Sequence, residues 1–142
     1  MIFITDTRPA FFAIPSKNPL EVPPLNLLGD NAYIVKFDDV KINRGDAYNP
    51  STGIFTAPRK GLYQFSCMIL GQKNQTFHFQ LNKNDDLYVY GRLSEADYGT
   101  QIISALMELK EGDRVYIFHR YIRLEIVHGK EYSTFSGYYI HE

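Results

Sequence analysis

Clusters of turn-forming residues interrupt this chain at short intervals and limit what it can fold into. Glycine, asparagine, aspartate and proline gather at 43–46, 49–53, 111–113 and 128–130, among other places. The clusters leave about 8–16 residues between them, which suits strands joined by turns and leaves little room for helices. The spacing therefore predicts an all-β protein.

The segments between these clusters alternate between apolar and polar residues. In one of them Tyr63, Phe65, Cys67 and Ile69 occupy every second position. Because successive side chains of a strand point to opposite faces, this period predicts strands with one face turned to a core. The 11 tyrosines and 10 phenylalanines suit such half-buried strands. We expect a β-sandwich or barrel, with Cys67 as a small buried hydrophobe.

Three segments in the second half of the chain have apolar residues on both faces of the predicted strand, namely 102–107, 115–118 and 138–140. One face of each can enter the core, whereas the other would remain in water at a cost of about 25 cal/mol per Å². Burial against identical subunits would remove this cost. Scattered surface aromatics that need no partner are the alternative. The pattern favours self-association.

Length and charge narrow the partners. The chain has 142 residues, with 15 basic and 16 acidic side chains, which suits one domain with almost no net charge. Nucleic acid is therefore not an expected partner. No apolar run approaches the roughly 20 residues of a membrane-spanning helix, so membrane insertion is not expected either. Prolines predict an edge strand or a loop for residues 19–28.

The sequence contains no catalytic pattern. The serines lie outside any Gly-x-Ser-x-Gly elbow, the glycines form no phosphate-binding loop, and the histidines at 78, 119, 128 and 141 stand apart. An isolated strand histidine is more often structural than catalytic. We therefore expect a binding protein and not an enzyme.

Two short motifs lie in predicted turns. Residues 44–46 spell Arg-Gly-Asp, which integrins recognise, but Asn-Arg-Gly-Asp is first of all a good turn sequence. Residues 74–76 form an acceptor sequence for N-glycosylation, which matters only in a secretory pathway. Neither motif identifies a function by itself.

A specific set of anchors runs through the stretch 37–67: Phe37, Asn43, Tyr48, Phe55, Gly61, Tyr63 and Phe65. In this order and spacing they resemble the complement C1q globular-head domain family, with Cys67 in place of a final aromatic anchor. Further on, 109–116 resembles the family's L-x-x-G-D-x-V-W segment, with Gly112 and Asp113. The segment 133–140 resembles its closing S-x-F-S-G-F, with Phe135 and Gly137. The resemblance covers residues 8–142 and leaves residues 1–7 as an N-terminal extension.

The resemblance implies a ten-stranded jelly roll, like that of tumour necrosis factor, assembled as a homotrimer. It also implies a secreted binding head that requires no cofactor. Five aromatic anchors are expected in the core: Phe37, Phe55, Tyr63, Phe65 and Phe135. Three glycines are expected to supply turn backbone: Gly53, Gly61 and Gly112.

The loop 92–99 is the candidate site. In several family members the corresponding loop gives acidic side chains to bound calcium, so the resemblance points to Glu95 and Asp97. Calcium takes six to eight oxygens and the loop offers two carboxylates, so a solvated acidic turn is the alternative. Tyrosine provides a ring face for a sugar and a hydroxyl to bond it. Four neighbouring residues are therefore expected to line a saccharide groove: Tyr88, Tyr90, Arg92 and Tyr98.

Three functional hypotheses stay open. The chain has 10 glycines and no Gly-x-y repeat, so it resembles the stalkless family forms of molluscs, which act as soluble lectins for bacterial or fungal glycans. Three weak sugar sites on one rigid trimer would raise avidity. The alternative is a trimeric signalling ligand of the cerebellin or adipokine kind, which recognises a cell-surface receptor. A structural trimer on a spore or cell surface is a third hypothesis.

Overall fold

The computed structural model describes residues 8–25, 33–95 and 99–142, and nearly all regular structure in these ranges is β-structure. It contains one 3₁₀ helix, Lys130–Tyr132. The strands in chain order are β1 (Ala10–Ile14), β2 (Leu20–Val22), β3 (Asp39–Arg44), β4 (Tyr48–Asn49), β5 (Ile54–Thr56), β6 (Gly61–Gly71), β7 (Phe77–Lys83), β8 (Asp86–Leu93), β9 (Thr100–Leu109), β10 (Arg114–His119), β11 (Glu125–His128) and β12 (Thr134–His141). In the part of the chain described, no helix is long and apolar enough to cross a membrane.

The strands form two antiparallel sheets. The seven-stranded sheet has the order β2-β11-β6-β12-β1-β3, and β9 pairs with β6 as well. The five-stranded sheet has the order β4-β5-β10-β7-β8. The predicted jelly-roll sandwich is confirmed. The described residues contain twelve strands and not ten, because very short segments such as β2 and β4, of three and two residues, also pair as strands.

Strand β2 lies at an edge of the seven-stranded sheet, as the prolines predict. Among the strands described it pairs with β11 alone, and Pro23 and Pro24 follow it directly. Proline has no amide hydrogen to donate to a neighbouring strand, so the sheet ends here. The region between 19 and 25 is thus an edge strand that runs into an extended segment.

The core lies between the two sheets and follows the alternation seen in the sequence. Along β6, Tyr63, Phe65, Cys67 and Ile69 are each at most 1% exposed, and the residues between them are only half-buried. Burial raises the pKa of the Cys67 thiol, which keeps it protonated and unreactive. Cys67 is the buried hydrophobe that was expected.

Aromatic rings fill the centre of the sandwich. The Phe11 ring stacks on Tyr48 with centroids 4.6 Å apart and meets Phe135 edge-on at 5.0 Å. Phe55 and Phe65 meet edge-on at 5.3 Å. Such pairs are each worth about 0.5–1.5 kcal/mol beyond the area they bury. The aromatic anchors are therefore core residues, as predicted.

The polar anchors hold the turn between β3 and β4. Asn43 Nδ2 donates to the Tyr48 carbonyl at 2.8 Å, and Asn43 Oδ1 accepts from the Tyr48 amide at 3.2 Å. The Tyr48 hydroxyl donates to the Phe37 carbonyl at 2.9 Å. Within this turn Gly45 has a φ of +83°, and the Asp46 amide donates to the Asn43 carbonyl at 3.2 Å. The Arg-Gly-Asp tripeptide is thus part of a tight turn.

Glycine is required at these positions for two different physical reasons. Gly53 and Gly112 have φ values of +79° and +90°, as expected for turn glycines. Gly61 differs from the expectation, because it begins β6 and makes no turn of this kind. A Cβ at Gly61 would lie 2.2 Å from Tyr139 Cε2, and one at Gly137 would lie 2.5 Å from Phe65 Cδ1. These two positions are glycine because aromatic rings lie against the backbone.

Asp113 closes the turn between β9 and β10. Its Oδ2 accepts from the Lys110 amide at 2.8 Å, and its Oδ1 accepts from Asn84 Nδ2 at 3.2 Å. The backbone bond from Lys110 is the main cause that lowers the pKa of Asp113. The Gly-Asp pair of the 109–116 segment therefore has a structural role.

Candidate functional site

The outer face of the seven-stranded sheet carries exposed apolar side chains. Outward positions on four strands hold the residues that we call the apolar face: Phe12, Ile42, Ile102, Leu106 and Tyr138. They are between 37% and 61% exposed. The register places Leu106 and Tyr138 on either side of Gln64, so the face is continuous across the central strands. It includes the outward residues of two of the three segments that are apolar on both faces, 102–107 and 138–140. We call these three the doubly apolar segments.

The third doubly apolar segment is covered by its own chain. On β10, Tyr116 is only 3% exposed, and its hydroxyl lies within hydrogen-bond distance of Asn82 and Asp85. The Phe118 ring packs against Tyr33 with centroids 4.8 Å apart. The apolar pattern at 115–118 therefore does not create a free apolar surface.

The outer face of the five-stranded sheet presents cations and aromatic rings. Its members, which we call the cation–aromatic face, are His78, Tyr90, Arg92, Arg120 and Tyr121. Arg92 on β8 is the cross-strand partner of His78 on β7, and the Arg120 amide donates to the His78 carbonyl at 3.1 Å. Tyr90 is 61% exposed. Two of the predicted saccharide-binding residues, Tyr90 and Arg92, thus lie together on this face.

Arg120 is held in place at the centre of the cation–aromatic face. Its guanidinium lies over the Tyr90 ring, 4.6 Å from the centroid. Nη1 donates to the carbonyl of Gly91 at 3.0 Å and to that of Phe79. Burial lowers the pKa of Arg120, and the charge of Arg92 lowers it further. Arg92 lies on the same outer face of β8 as Tyr90, so this surface carries two positive charges.

Beneath this face lies a buried carboxylate, Glu125, at the start of β11. It is 3% exposed. Oε1 accepts from the His78 amide at 2.8 Å and lies 2.9 Å from His119 Nε2. Oε2 accepts from the Thr76 hydroxyl at 2.5 Å and lies 2.9 Å from His78 Nδ1. Glu125 thereby joins β11 of the seven-stranded sheet to β7 and β10 of the five-stranded sheet.

The hydrogen bonds around Glu125 favour its charged form. Burial raises the pKa of this carboxyl, but the bonds from Thr76, His119 and His78 outweigh burial and hold the pKa below its ordinary value. His119 Nδ1 lies 2.7 Å from the Pro23 carbonyl, which can only accept, so this nitrogen carries a proton.

The sequence places the four histidines apart, whereas the fold brings two of them to the same carboxylate. His78 and His119 are 41 positions apart and reach Glu125 from neighbouring strands. The His78 ring also stacks on Tyr121, with centroids 4.1 Å apart. Neither spacing nor composition signals this cluster. The one hint is a glutamate at the start of an otherwise apolar strand, Glu125-Ile126-Val127.

Tyr88 is separated from Tyr90 and Arg92, although all three share one strand. The pairing of β7 with β8 shifts between Leu81 and Asn82, which leaves Tyr88 without a cross-strand partner. The Tyr88 hydroxyl donates to the Leu106 carbonyl on β9 at 2.6 Å. Tyr88 therefore closes the seam between the two sheets.

The remaining candidate residues follow β8 in the sequence. Glu95 is exposed. Asp97 and Tyr98 lie outside the described residues, so the calcium pair and this part of the groove stay predictions. Within the ranges described, no group of three histidine, cysteine, aspartate or glutamate residues is arranged to hold a metal ion.

Sequence comparison matches the C1q domain model to residues 23–140 of this chain. One relative is the heavy metal-binding protein HIP of Mytilus edulis, which is 30% identical over 129 residues. The match covers 83% of this chain and 56% of the mussel protein, so the chain spans about half of that relative.

Solved structures share the fold at low sequence identity. The globular domain of zebrafish complement 1qA matches with a TM-score of 0.65 and 18% identity, over 95% of this chain and 98% of the other. Murine APRIL matches with a TM-score of 0.67 and 9% identity, over 94% and 99%. Eiger TNF from S. frugiperda matches with a TM-score of 0.67 and 14% identity, over 96% of this chain and 95% of the other. The architecture is thus that of C1q and tumour necrosis factor domains.

Proposed function

This chain belongs to the C1q-domain family, and on that premise we propose that it is a secreted trimeric lectin that binds carbohydrate on microbial surfaces. Domains of this family are typically extracellular, assemble as trimers and bind ligands or receptors without catalysing reactions. The two outer faces of the sandwich divide these tasks between them. The apolar face serves assembly, and the cation–aromatic face serves recognition.

The apolar face supports assembly as a homotrimer. Ile102 and Leu106 are 61% and 53% exposed on an otherwise regular strand, and Tyr138 is 51% exposed two strands away. Burial of such side chains against a second copy gains about 25 cal/mol for each Å² removed from water. Three small residues, Ser66, Ser104 and Ser136, form a cross-strand row on the same outer face. Neighbouring subunits can therefore approach closely. Assembly then multiplies weak single-site affinities into avidity.

The exposed ring of Tyr90 carries the proposal of sugar binding. One face of this ring is covered by the Arg120 guanidinium, which fixes its orientation, and the side chain is still 61% exposed. A rigid aromatic ring with a free face is a good platform for the apolar face of a pyranose. Arg92 and Gln80 lie beside it on the same outer surface and can donate to hydroxyl groups.

The mussel relative is named for binding heavy metals. Three side chains of metal-ligating type come together here, namely His78, His119 and Glu125. Both oxygens of Glu125 are hydrogen-bonded to ring nitrogens, His78 Nδ1 and His119 Nε2. We therefore base the proposal on the cation–aromatic face and not on a metal centre.

A glycan array probed with the recombinant trimer tests the proposal. We expect binding to bacterial or fungal polysaccharides that falls about tenfold or more in the variant Tyr90→Ala, because the stacking platform is lost. Tyr132→Ala is the matched control, since Tyr132 is also exposed, at 51%, but lies on the 3₁₀ helix. An intact trimer that binds no glycan on the array would refute the lectin function and leave a protein receptor as the ligand to seek.

A further inference from the structure

Two guanidinium groups on the cation–aromatic face have N–H groups that form no hydrogen bond with the described residues. In Arg120, only Nη1 bonds to the protein, through the Gly91 and Phe79 carbonyls. Its Nη2 and Nε groups have no acceptor among the described residues. Arg92 lies two positions after Tyr90 on β8. Its side chain is exposed and forms no ion pair within the described ranges.

The buried carboxylate beneath this pair does not neutralise it. Glu125 attracts Arg120 electrostatically, but both of its oxygens already accept hydrogen bonds from Thr76, His78 and His119. The surface above therefore holds two like charges side by side. An external anion placed between them would relieve their repulsion and receive charge-assisted hydrogen bonds, which are stronger than neutral ones.

We propose that Arg92 and Arg120 bind an anionic substituent, a carboxylate or a sulfate, of a saccharide whose ring stacks on Tyr90. This inference rests on the proposed function and names its ligand class, namely acidic glycans. The planar guanidinium presents two parallel N–H groups that match both kinds of oxyanion.

The way in which Arg120 is fixed makes it a strong donor. Free arginine side chains lose rotamer freedom when they bind a ligand. Here the two carbonyls and the Tyr90 ring have already ordered the guanidinium before any ligand arrives. Its remaining N–H groups can therefore bind an anion at little further entropic cost. Arg92 is not held in this way and adds charge and a second donor pair.

Isothermal titration of the full chain with three hexasaccharides tests the inference. The probes are a neutral galactan, a polygalacturonate that carries only carboxylates, and a κ-carrageenan that carries only sulfates. We expect at least one acidic probe to bind about tenfold or more tightly than the neutral one at low salt, and this advantage to shrink as sodium chloride is added. The better of the two acidic probes identifies the anionic group.

Three variants assign the effect to the pair. Arg92→Gln should reduce affinity for the preferred acidic probe about tenfold, and Arg92→Lys should reduce it less, because charge stays and the bidentate geometry is lost. Lys60→Gln removes the same charge from an exposed turn before β6 and should leave affinity unchanged. Arg120→Gln should weaken binding further, and its thermal unfolding reports whether the face stays intact.

The outcomes separate this inference from the function beneath it. If the neutral and acidic probes bind equally, or if Arg92→Gln binds the acidic probe as well as the parent, acidic recognition is refuted while sugar binding stands. If no probe binds and the array is silent too, both proposals fail.

Discussion

The outer faces of the two sheets start from similar sequence patterns and end as different surfaces. Outward residues of β9 and β12, such as Leu106 and Tyr138, are about half exposed, and no described segment of the chain covers them. On β10 the outward Tyr116 and Phe118 are covered by side chains of neighbouring segments. An apolar strand face is therefore available for assembly only where the fold provides no cover of its own. The other sheet gains a polar, charged surface instead.

The strongest test of this difference is a charge on the apolar face. We expect Leu106→Asp to convert the trimer, about 49 kDa from 3 × 16.4 kDa, into a 16.4 kDa monomer measured by light scattering. Avidity for a polyvalent glycan should then fall by a factor of about 10²–10⁴. Tyr90→Ala, on the opposite sheet, should stay trimeric. A Leu106→Asp protein that remains trimeric would show that the apolar face is not the interface.

A second test removes the carboxylate that supports the cation–aromatic face. Glu125→Ala should lower the free energy of unfolding by about 3 kcal/mol, because His119 and the Thr76 hydroxyl lose a buried charged partner. Urea unfolding measures the change. Glu131→Ala, at an exposed position on the 3₁₀ helix, should change stability by less than about 0.5 kcal/mol. Equal stability of the two variants would contradict the supporting role of Glu125.

The same carboxylate predicts how stability depends on pH. The folded pKa of Glu125 lies below its unfolded value near 4.5, so its contribution is complete above that value and is lost as pH falls through the folded pKa. We expect the free energy of unfolding to decline below about pH 4.5. His78 and His119 are the titratable groups in contact with it. In Glu125→Gln this part of the decline should disappear, and an unaltered pH profile would refute the assignment.

The smallest expected effect concerns the seam between the two faces. Tyr88→Phe removes the hydroxyl that donates to the Leu106 carbonyl. Because Tyr88 is 45% exposed, we expect a loss of only about 0.5–1 kcal/mol in urea unfolding. Glycan affinity should not change, since Tyr88 lies apart from Tyr90. A large loss of glycan binding would return Tyr88 to the saccharide groove.

Much of the core could be read from the sequence because strand alternation is a local property. The period of two along β6 assigns Tyr63, Phe65 and Cys67 to the interior, and all three are buried. Only part of the candidate site could be predicted from the sequence. Tyr90 and Arg92 are neighbours along one strand, but a one-residue shift in pairing removed Tyr88 from their face. Such a bulge depends on the partner strand and leaves no mark on β8 itself.

The sequence alone determined the fold class, most of the buried aromatic set and most of the turns, because strand periodicity, proline and glycine act over a few residues. Tertiary structure alone decided that Arg120 lies over Tyr90 and that His78 and His119 share Glu125. These contacts join strands that are distant in the chain, and the geometry of hydrogen bonds across sheets selects them. Local pattern therefore identifies what is buried, whereas strand order and register identify which polar groups meet.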